Sequence, residues 1–302
     1  MENIHDKFVK ASFSDPGRAI AFFEKFLPDH VSDTLDLHTL TCLQESYLTD
    51  DLKAGFSDLV FEVKEKGTPH QATDIVLLFE HKSSPDKHVL IQVGMYIFSH
   101  WLRCIRQKKP LKPIIPIIYY QGKKIWKVRP VKRLFDKSSP NIIRFIPDLP
   151  HLFIALQSLS DEAIANMRNN MMSAAIMAQK NTFDPIELAE DLKKIFKLFP
   201  LKADEGNFLK TIFVYLFNVS EVPKNEWVKA IEIIPTDIKE NLMTTYTWMK
   251  EEGRQEGIKE VKTKVILKGF EEGLNIKILA NITNLTEQQV LQILNENHIN
   301  KK

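Results

Sequence analysis

Cysteine is scarce in this chain: Cys42 and Cys104 are the only two in 302 residues, 62 positions apart and with no CxxC spacing. That excludes a disulfide framework, argues against a zinc site and suits a reducing compartment, so a cytoplasmic protein is expected. Long apolar runs are missing too. The most apolar stretch, Ile114 to Tyr120, is far too short to cross a bilayer, and the first residues carry charges where a secretory leader needs an apolar centre. A dominant charge sign is also lacking: 41 Lys and Arg against 39 Asp and Glu leave +2, which neither advertises nor excludes a polyanionic partner. What the chain does have is a 44% apolar content, enough to bury a full core in one large domain with an appendage, or in two domains.

Periodicity sets the organisation. Phe13, Ala19, Phe22, Phe23 and Phe26 recur at helical spacing, predicting one amphipathic helix over residues 8–27, closed by Pro28 and packed on a sheet. Strand-like stretches follow near 39–47, 57–64 and 74–81. Ser84-Pro85-Asp86 offers an N-cap, a first-turn proline and an acidic residue for a helix over 87–107, and 114–120 reads as a short buried strand. This order predicts an α/β fold with a mixed central sheet flanked by helices. Beyond residue 159 only helical patterns remain, near 161–179, 185–199, 207–217 and 236–250. From 251 the chain turns charged and Gly-punctuated before a compact apolar tail. The expected division is a core over 1–158, an all-helical region over 159–250, and a charged linker helix with a short helical tail over 251–302.

The sharpest chemical pattern lies in the second and third strands. A hairpin symmetric about Pro69 sets Asp58 opposite Glu80, and the alternation of side chains puts Lys82 on the face of Glu80 while His81 points the other way. Two carboxylates at close range repel unless a cation lies between them, and hard oxygen ligands suit Mg²⁺, with Mn²⁺ as a substitute. The backbone carbonyl of His81 is a third candidate ligand. Such an ion polarises a phosphodiester and activates water, while Lys82 orients that water or helps deprotonate it. Gln92 and Tyr96, one helical turn apart, are candidates to face the same site.

Between Trp101 and Arg133 the chain carries eleven basic residues and no acidic one. Arg103, Arg106, Lys108, Lys109, Lys112, Lys123, Lys124 and Lys127 are the candidate phosphate contacts, with Tyr119, Tyr120 and Trp126 interleaved as stacking or core residues. The tail, 275–296, has the pattern of a helix-turn-helix, although its second helix opens with Glu287, Gln288 and Gln289 and holds no Lys or Arg. A hairpin for self-association is the alternative reading, so a homodimer through the helical region or the tail is an expectation.

The stretches HDKFVKASFSDP, FFEKFLP, SDLVFEVK, FEHKSSPDKH and PIIPIIYYQGKKIW, in that order over residues 5–126, resemble the recombination-promoting nuclease family, also labelled transposase, of the PD-(D/E)XK superfamily. The resemblance implies a restriction-endonuclease-like core and Mg²⁺-dependent DNA cleavage, with Asp58 and Glu80 on the metal-ligand positions and Lys82 on the third catalytic position. Relatives carry Gln where Lys82 stands and Arg where Gln92 stands, so Gln92 is a catalytic candidate on a departing position. His5 and Asp6 match a recurrent pair near the family's N-terminus, as groups behind the site or, for Asp6, as a helix cap. Three functions follow as expectations: an endonuclease with little sequence preference, cleavage coupled to strand transfer, and an idle nucleic-acid-binding protein that keeps the fold.

Overall fold

The computed structural model describes residues 4–43, 59–67, 74–182, 188, 194–195, 206–220, 239–240, 247, 259 and 261–297. Two compact units divide the chain, Met1–Ile238 and Lys239–Lys302. The first is built on a five-stranded mixed sheet in the order β1 (Leu35–Leu43), β2 (Leu59–Glu65), β3 (Asp74–Lys82), β4 (Ile114–Tyr120), β5 (Leu152–Ala155). The first three strands run antiparallel to their neighbours, and β3, β4 and β5 run parallel. The predicted α/β core is therefore present. β5 is an addition to the expected strands, and β4 has the bounds read from sequence.

The N-terminal segment is two helices, not the single one expected. α1 (Ile4–Phe13) ends before Ser14-Asp15-Pro16, and α2 (Pro16–Phe26) begins there. Proline has no N–H to continue the first helix, and the Asp15 carboxylate accepts from the Arg18 amide at 2.8 Å, capping the second. A short turn, α3 (Asp29–Ser32), leads into β1.

β3 is the buried centre of the sheet, and its alternation assigns each face. Phe79 packs with Phe13, Phe22, Phe23 and Tyr119 beneath α1 and α2. Leu78, with Ile118 of β4, lies on the opposite face against Val89, Leu90, Val93, Tyr96 and Ile97 of α4 (Val89–Arg106). α4 starts later than Ser84-Pro85-Asp86 suggests: His88 holds the cap position with no side-chain cap, and Asp86 Oδ1 accepts from the His88 amide at 2.8 Å. The other Asp86 oxygen is taken by Lys82, so the turn is tied to the strand end rather than to the helix.

After a short helix α5 (Pro140–Ile143) and β5, the region predicted as one helix near 161–179 is two. These are α6 (Asp161–Ala165), capped by Ser160, and α7 (Asn170–Asn181), capped by Asn169. α7 is almost wholly buried and packs against α2, α6 and α8 (Gly206–Val219), so the helical region shares the core of the sheet. The expected helices near 185–199 and 236–250 fall largely outside the described residues.

In the second unit a helix over 261–271 precedes α9 (Ile276–Thr283) and α10 (Glu287–Glu296), packed around Ile266, Leu279, Ala280, Val290 and Leu294. Asn284, at φ 52°, ends α9 in the left-handed region, and Thr286 and Gln289 form a capping box that starts α10.

Candidate active site

The β2–β3 pairing runs from Lys64↔Asp74 to Leu59↔Phe79, the register read from the hairpin symmetry. Asp58 lies outside the described residues. Glu80 and Lys82 share the α4 face of β3, as the alternation requires.

Glu80 is 1% exposed. One of its carboxylate oxygens, Oε1, accepts from Lys82 Nζ at 2.9 Å, while Oε2 is buried with no hydrogen-bond partner among the described residues. An orphaned, buried carboxylate oxygen is costly, and a bound cation is one thing that would offset the cost. The donor chemistry fits a hard divalent ion on this atom. Among the described residues no group of three or more His, Cys, Asp or Glu converges as a metal site, at Glu80 or elsewhere.

Lys82 is held on three sides. Besides Glu80, its ammonium donates to Gln92 Oε1 at 2.7 Å and lies 3.3 Å from Asp86 Oδ2. Gln92 in turn donates to the Tyr96 hydroxyl, so the turn of α4 predicted to face the site does so. Burial works to lower the Lys82 pKa, but the charges and hydrogen bonds of Glu80 and Asp86 outweigh it and raise the value. A lysine so held stays protonated near neutrality and acts as a donor, which favours orientation of water or phosphate over proton abstraction. Burial also works to raise the Asp86 pKa, but its bond from the His88 amide and the Lys82 charge bring it down.

His81 faces the other way. Its Nδ1 lies 2.7 Å from Asp6 Oδ1, and its Nε2 lies 3.1 Å from Gln121 Oε1. Gln121, fully buried just past β4, donates to the Tyr215 hydroxyl at 2.7 Å, and its backbone amide bonds the Lys82 carbonyl at 2.9 Å. His5 Nδ1 meets the same tyrosine at 2.9 Å. Burial, then the neighbouring His81, lower the His5 pKa against the pull of Asp6. The His5-Asp6 pair thus braces the back of the strand end that carries Glu80 and Lys82, and Asp6 binds His81 instead of capping a helix. Sequence offered the pair and the alternation that turns His81 away, but nothing local links residue 6 to residue 81. Gly122 follows because the chain there is crowded: a Cβ would lie 2.6 Å from the Ser83 carbonyl oxygen.

Asp6→Ala is expected to cost about 1–3 kcal/mol of stability, the value of a hydrogen bond to a charged group. Asp6→Asn, which keeps an acceptor, is expected to recover most of the melting temperature. Thermal denaturation of the two variants checks both.

The basic stretch divides by environment. Arg103 and Arg106 sit in the last turn of α4, Lys108 and Lys109 follow it, and Lys123, Lys124 and Lys127 follow β4. All but Arg103 are exposed. Lys112 is committed elsewhere, to Glu62 and to Asp74 Oδ2 at 3.0 Å, so its charge is spent within the sheet. Tyr119 is fully buried with its hydroxyl on Gln179, Tyr120 is buried, and Trp126 packs edge-on against Tyr120 and Phe153. These three rings serve the core. In the tail, Gln289 is used in its own capping box and Gln292 donates to Glu296, leaving α10 few amides for reading bases.

The family described as "Putative transposase, YhgA-like" matches residues 3–208, two-thirds of the chain and all of the sheet with its flanking helices. The chain belongs to that family. The chain is also similar to the inactive recombination-promoting nuclease-like protein RpnE of Escherichia coli K12, 24% identical over 95% of this chain and 96% of that protein. Recombination-promoting nuclease RpnA of the same strain is 22% identical over 95% of each, and RpnD of Escherichia coli O157:H7 is 22% identical over 80% of this chain and 91% of that protein. No solved structure matches the chain.

Proposed function

We propose that this YhgA-like family member is a metal-dependent endodeoxyribonuclease that hydrolyses phosphodiester bonds with little sequence preference. The observation that carries the reading is the buried Glu80 carboxylate, with one oxygen held by a protonated Lys82 and the other without a partner among the described residues. The names of RpnA and RpnD as nucleases support the class of reaction and DNA as the substrate.

Glu80, Asp58 and the His81 carbonyl are the groups proposed to hold Mg²⁺ or Mn²⁺, which when bound supplies Lewis-acid polarisation of the phosphodiester and a water of lowered pKa. The chain's own residues do the rest. Lys82 would exchange its bond to Glu80 for one to a phosphate oxygen or to the attacking water, while Gln92 and Asp86 hold the other two protons of its ammonium so that little reorganisation accompanies the reaction. Exposed Lys108, Lys109, Lys123, Lys124 and Lys127 supply phosphate contacts without reading bases. Among the described residues no helix is long and apolar enough to cross a membrane. A cytoplasmic location is part of the proposal.

The inactive label of RpnE favours a second reading, a member that binds nucleic acid without turnover. Purified protein incubated with supercoiled and linear plasmid, with Mg²⁺ or with EDTA, separates the two. The nuclease reading expects Mg²⁺-dependent nicked and linear products. Strand transfer expects joined products as well. Retarded but intact DNA in both conditions contradicts cleavage.

Substituting Lys108, Lys109, Lys123, Lys124 and Lys127 with Gln is expected to weaken DNA binding regardless of sequence and to flatten its salt dependence, by about one unit of log–log slope per lost contact. Lys112→Gln, whose charge is already paired, is expected to leave the slope unchanged and to lower stability. Fluorescence anisotropy across a salt series measures both.

A further inference from the structure

The geometry points to self-association of this chain through the outer face of α4, which meets the same face of a second copy. α4 is apolar on both sides. Its inner face packs on the sheet through Val89, Leu90, Val93, Tyr96 and Ile97. Its outer face presents Ile91, Met95, Phe98, Leu102 and Ile105, each 44–58% exposed. Residues 89–102 include no Asp, Glu, Lys or Arg, so charge reaches the stripe only in the last turn, at Arg103 and Arg106. A helix of a lone globular domain ordinarily turns polar residues outward, and one that is apolar all round is ordinarily covered.

The spacing of the five residues says what covers it. Steps of four, three, four and three residues form a two-heptad seam, the pattern that inserts knobs into the holes of a helix with the same pattern. Among the described residues no other helix exposes a seam of that length: α9 offers Ile278 and Ile282, α10 only Leu291, and the helix over 261–271 Val261 and Val265. The complement is α4 of another copy, with Phe98 at the middle of the seam near a two-fold axis.

The area is sufficient. Five half-exposed side chains of this size leave on the order of 450 Å² of apolar surface per copy, as large as the main patch of a typical monomer. Two copies with their polar rims then bury about 1,200 Å², within the range of specific interfaces. Along residues 89–102 this face holds no cation to meet a phosphate, and Arg103 and Arg106 stand only at its end.

The inner face of the same helix carries Gln92 and Tyr96. A dimer across the outer face therefore stiffens the element that fixes Lys82. The pairing itself is independent of the nuclease reading, and the test is of mass, so failure of one leaves the other standing.

Light scattering after size exclusion, with sedimentation velocity, is expected to give twice the 35.0 kDa chain mass for the full chain at micromolar concentration. Phe98→Lys and Leu102→Lys are expected to run as monomers, with dissociation constants raised at least roughly 100-fold and with unchanged circular dichroism. Phe98→Cys, a milder change, is expected to form a disulfide-linked dimer under mild oxidation, where wild type and Ile125→Cys do not. Ile125 is the control because it is 98% exposed and lies off the seam. A wild type that stays monomeric at about 50 µM, far above the dissociation constants of stable pairs, overturns the proposal. So does a dimer that survives both lysine substitutions, or equal crosslinking at 98 and 125.

Discussion

Glu80→Gln is expected to remove Mg²⁺-dependent DNA cleavage, by more than the roughly 10²- to 10³-fold loss that follows deletion of one preorganised electrostatic contact. Gln has the same shape, still accepts a hydrogen bond from Lys82 and fills the same space, but it is a poor ligand for a hard cation. Shape matters because Glu80 is a core residue, not an exposed strand end as its sequence position suggests. Glu80→Ala would open a void and leave the nearby ammonium without an acceptor, a loss of about 3 kcal/mol or more, so lost activity would be confounded with lost fold. With Gln the acceptor and the packing are kept and Asp86 remains as the counter-charge of Lys82, so the fall in melting temperature is expected to be smaller than with Ala, and plasmid cleavage measured at equal folded concentration reads the chemistry alone. Wild-type turnover by Glu80→Gln would place the active centre elsewhere.

Lys82→Gln is the second large effect, expected to slow cleavage by roughly 10²-fold, with Lys82→Ala slower still. The reason is visible in the hydrogen bonds. Gln at this position keeps a side chain that positions water, whereas Ala leaves both Glu80 and Gln92 without their donor. The raised pKa of Lys82 gives the pH dependence its sign. The folded state holds this proton more tightly than the unfolded chain, so the ion pair's contribution to stability is present below the ordinary lysine value of 10.5 and is lost as pH rises beyond it. No gain in rate from deprotonation of Lys82 is therefore expected between about pH 7 and 9, which a pH–rate profile of wild type against Lys82→Gln measures. Equal rates for wild type, Gln and Ala at saturating Mg²⁺ would make the lysine a bystander.

Local chemistry accounts for what was legible before the structure. Ile114 to Tyr120, an apolar run between prolines and Gln121-Gly122, gives β4 to the residue, and the symmetry of the second hairpin gives the register that aligns Leu59 with Phe79. Both depend on neighbours in the chain. The errors share a cause of the opposite kind. A single helix over 8–27 would run through Asp15-Pro16, yet a capping carboxylate followed by proline is a start signal, and here it starts α2. Ser84-Pro85-Asp86 looks like an N-cap, a first-turn proline and a first-turn acid, but the helix starts later and Lys82 ties Asp86 to the strand end. β5 is four residues long and exists because β4 offers it an edge, so no periodicity marks it.

The site divides in the same way. Glu80, Lys82, Gln92 and Tyr96 lie within two helical turns and a strand end of one another, so alternation and helical spacing bring them to one face. Asp6, Gln121, Gln179 and Tyr215 join His81 from four separate elements, and only the packed fold makes them neighbours. Lys112 shows the reverse limit: in a run of basic residues it looks like its neighbours, yet Glu62 and Asp74 across the sheet neutralise it. The exposed seam of α4 was likewise hidden, since its residues have the composition of a core.

The central claim is that the unpartnered oxygen of Glu80 belongs to a divalent-cation site. Titration of Mn²⁺ into the purified full chain, followed by the electron paramagnetic resonance signal of the free ion, tests it without DNA and without turnover. Wild type is expected to remove Mn²⁺ from solution at a saturable site that Mg²⁺ competes for, and folded Glu80→Gln is expected to lose that site. Identical Mn²⁺ binding by the two proteins would contradict the account.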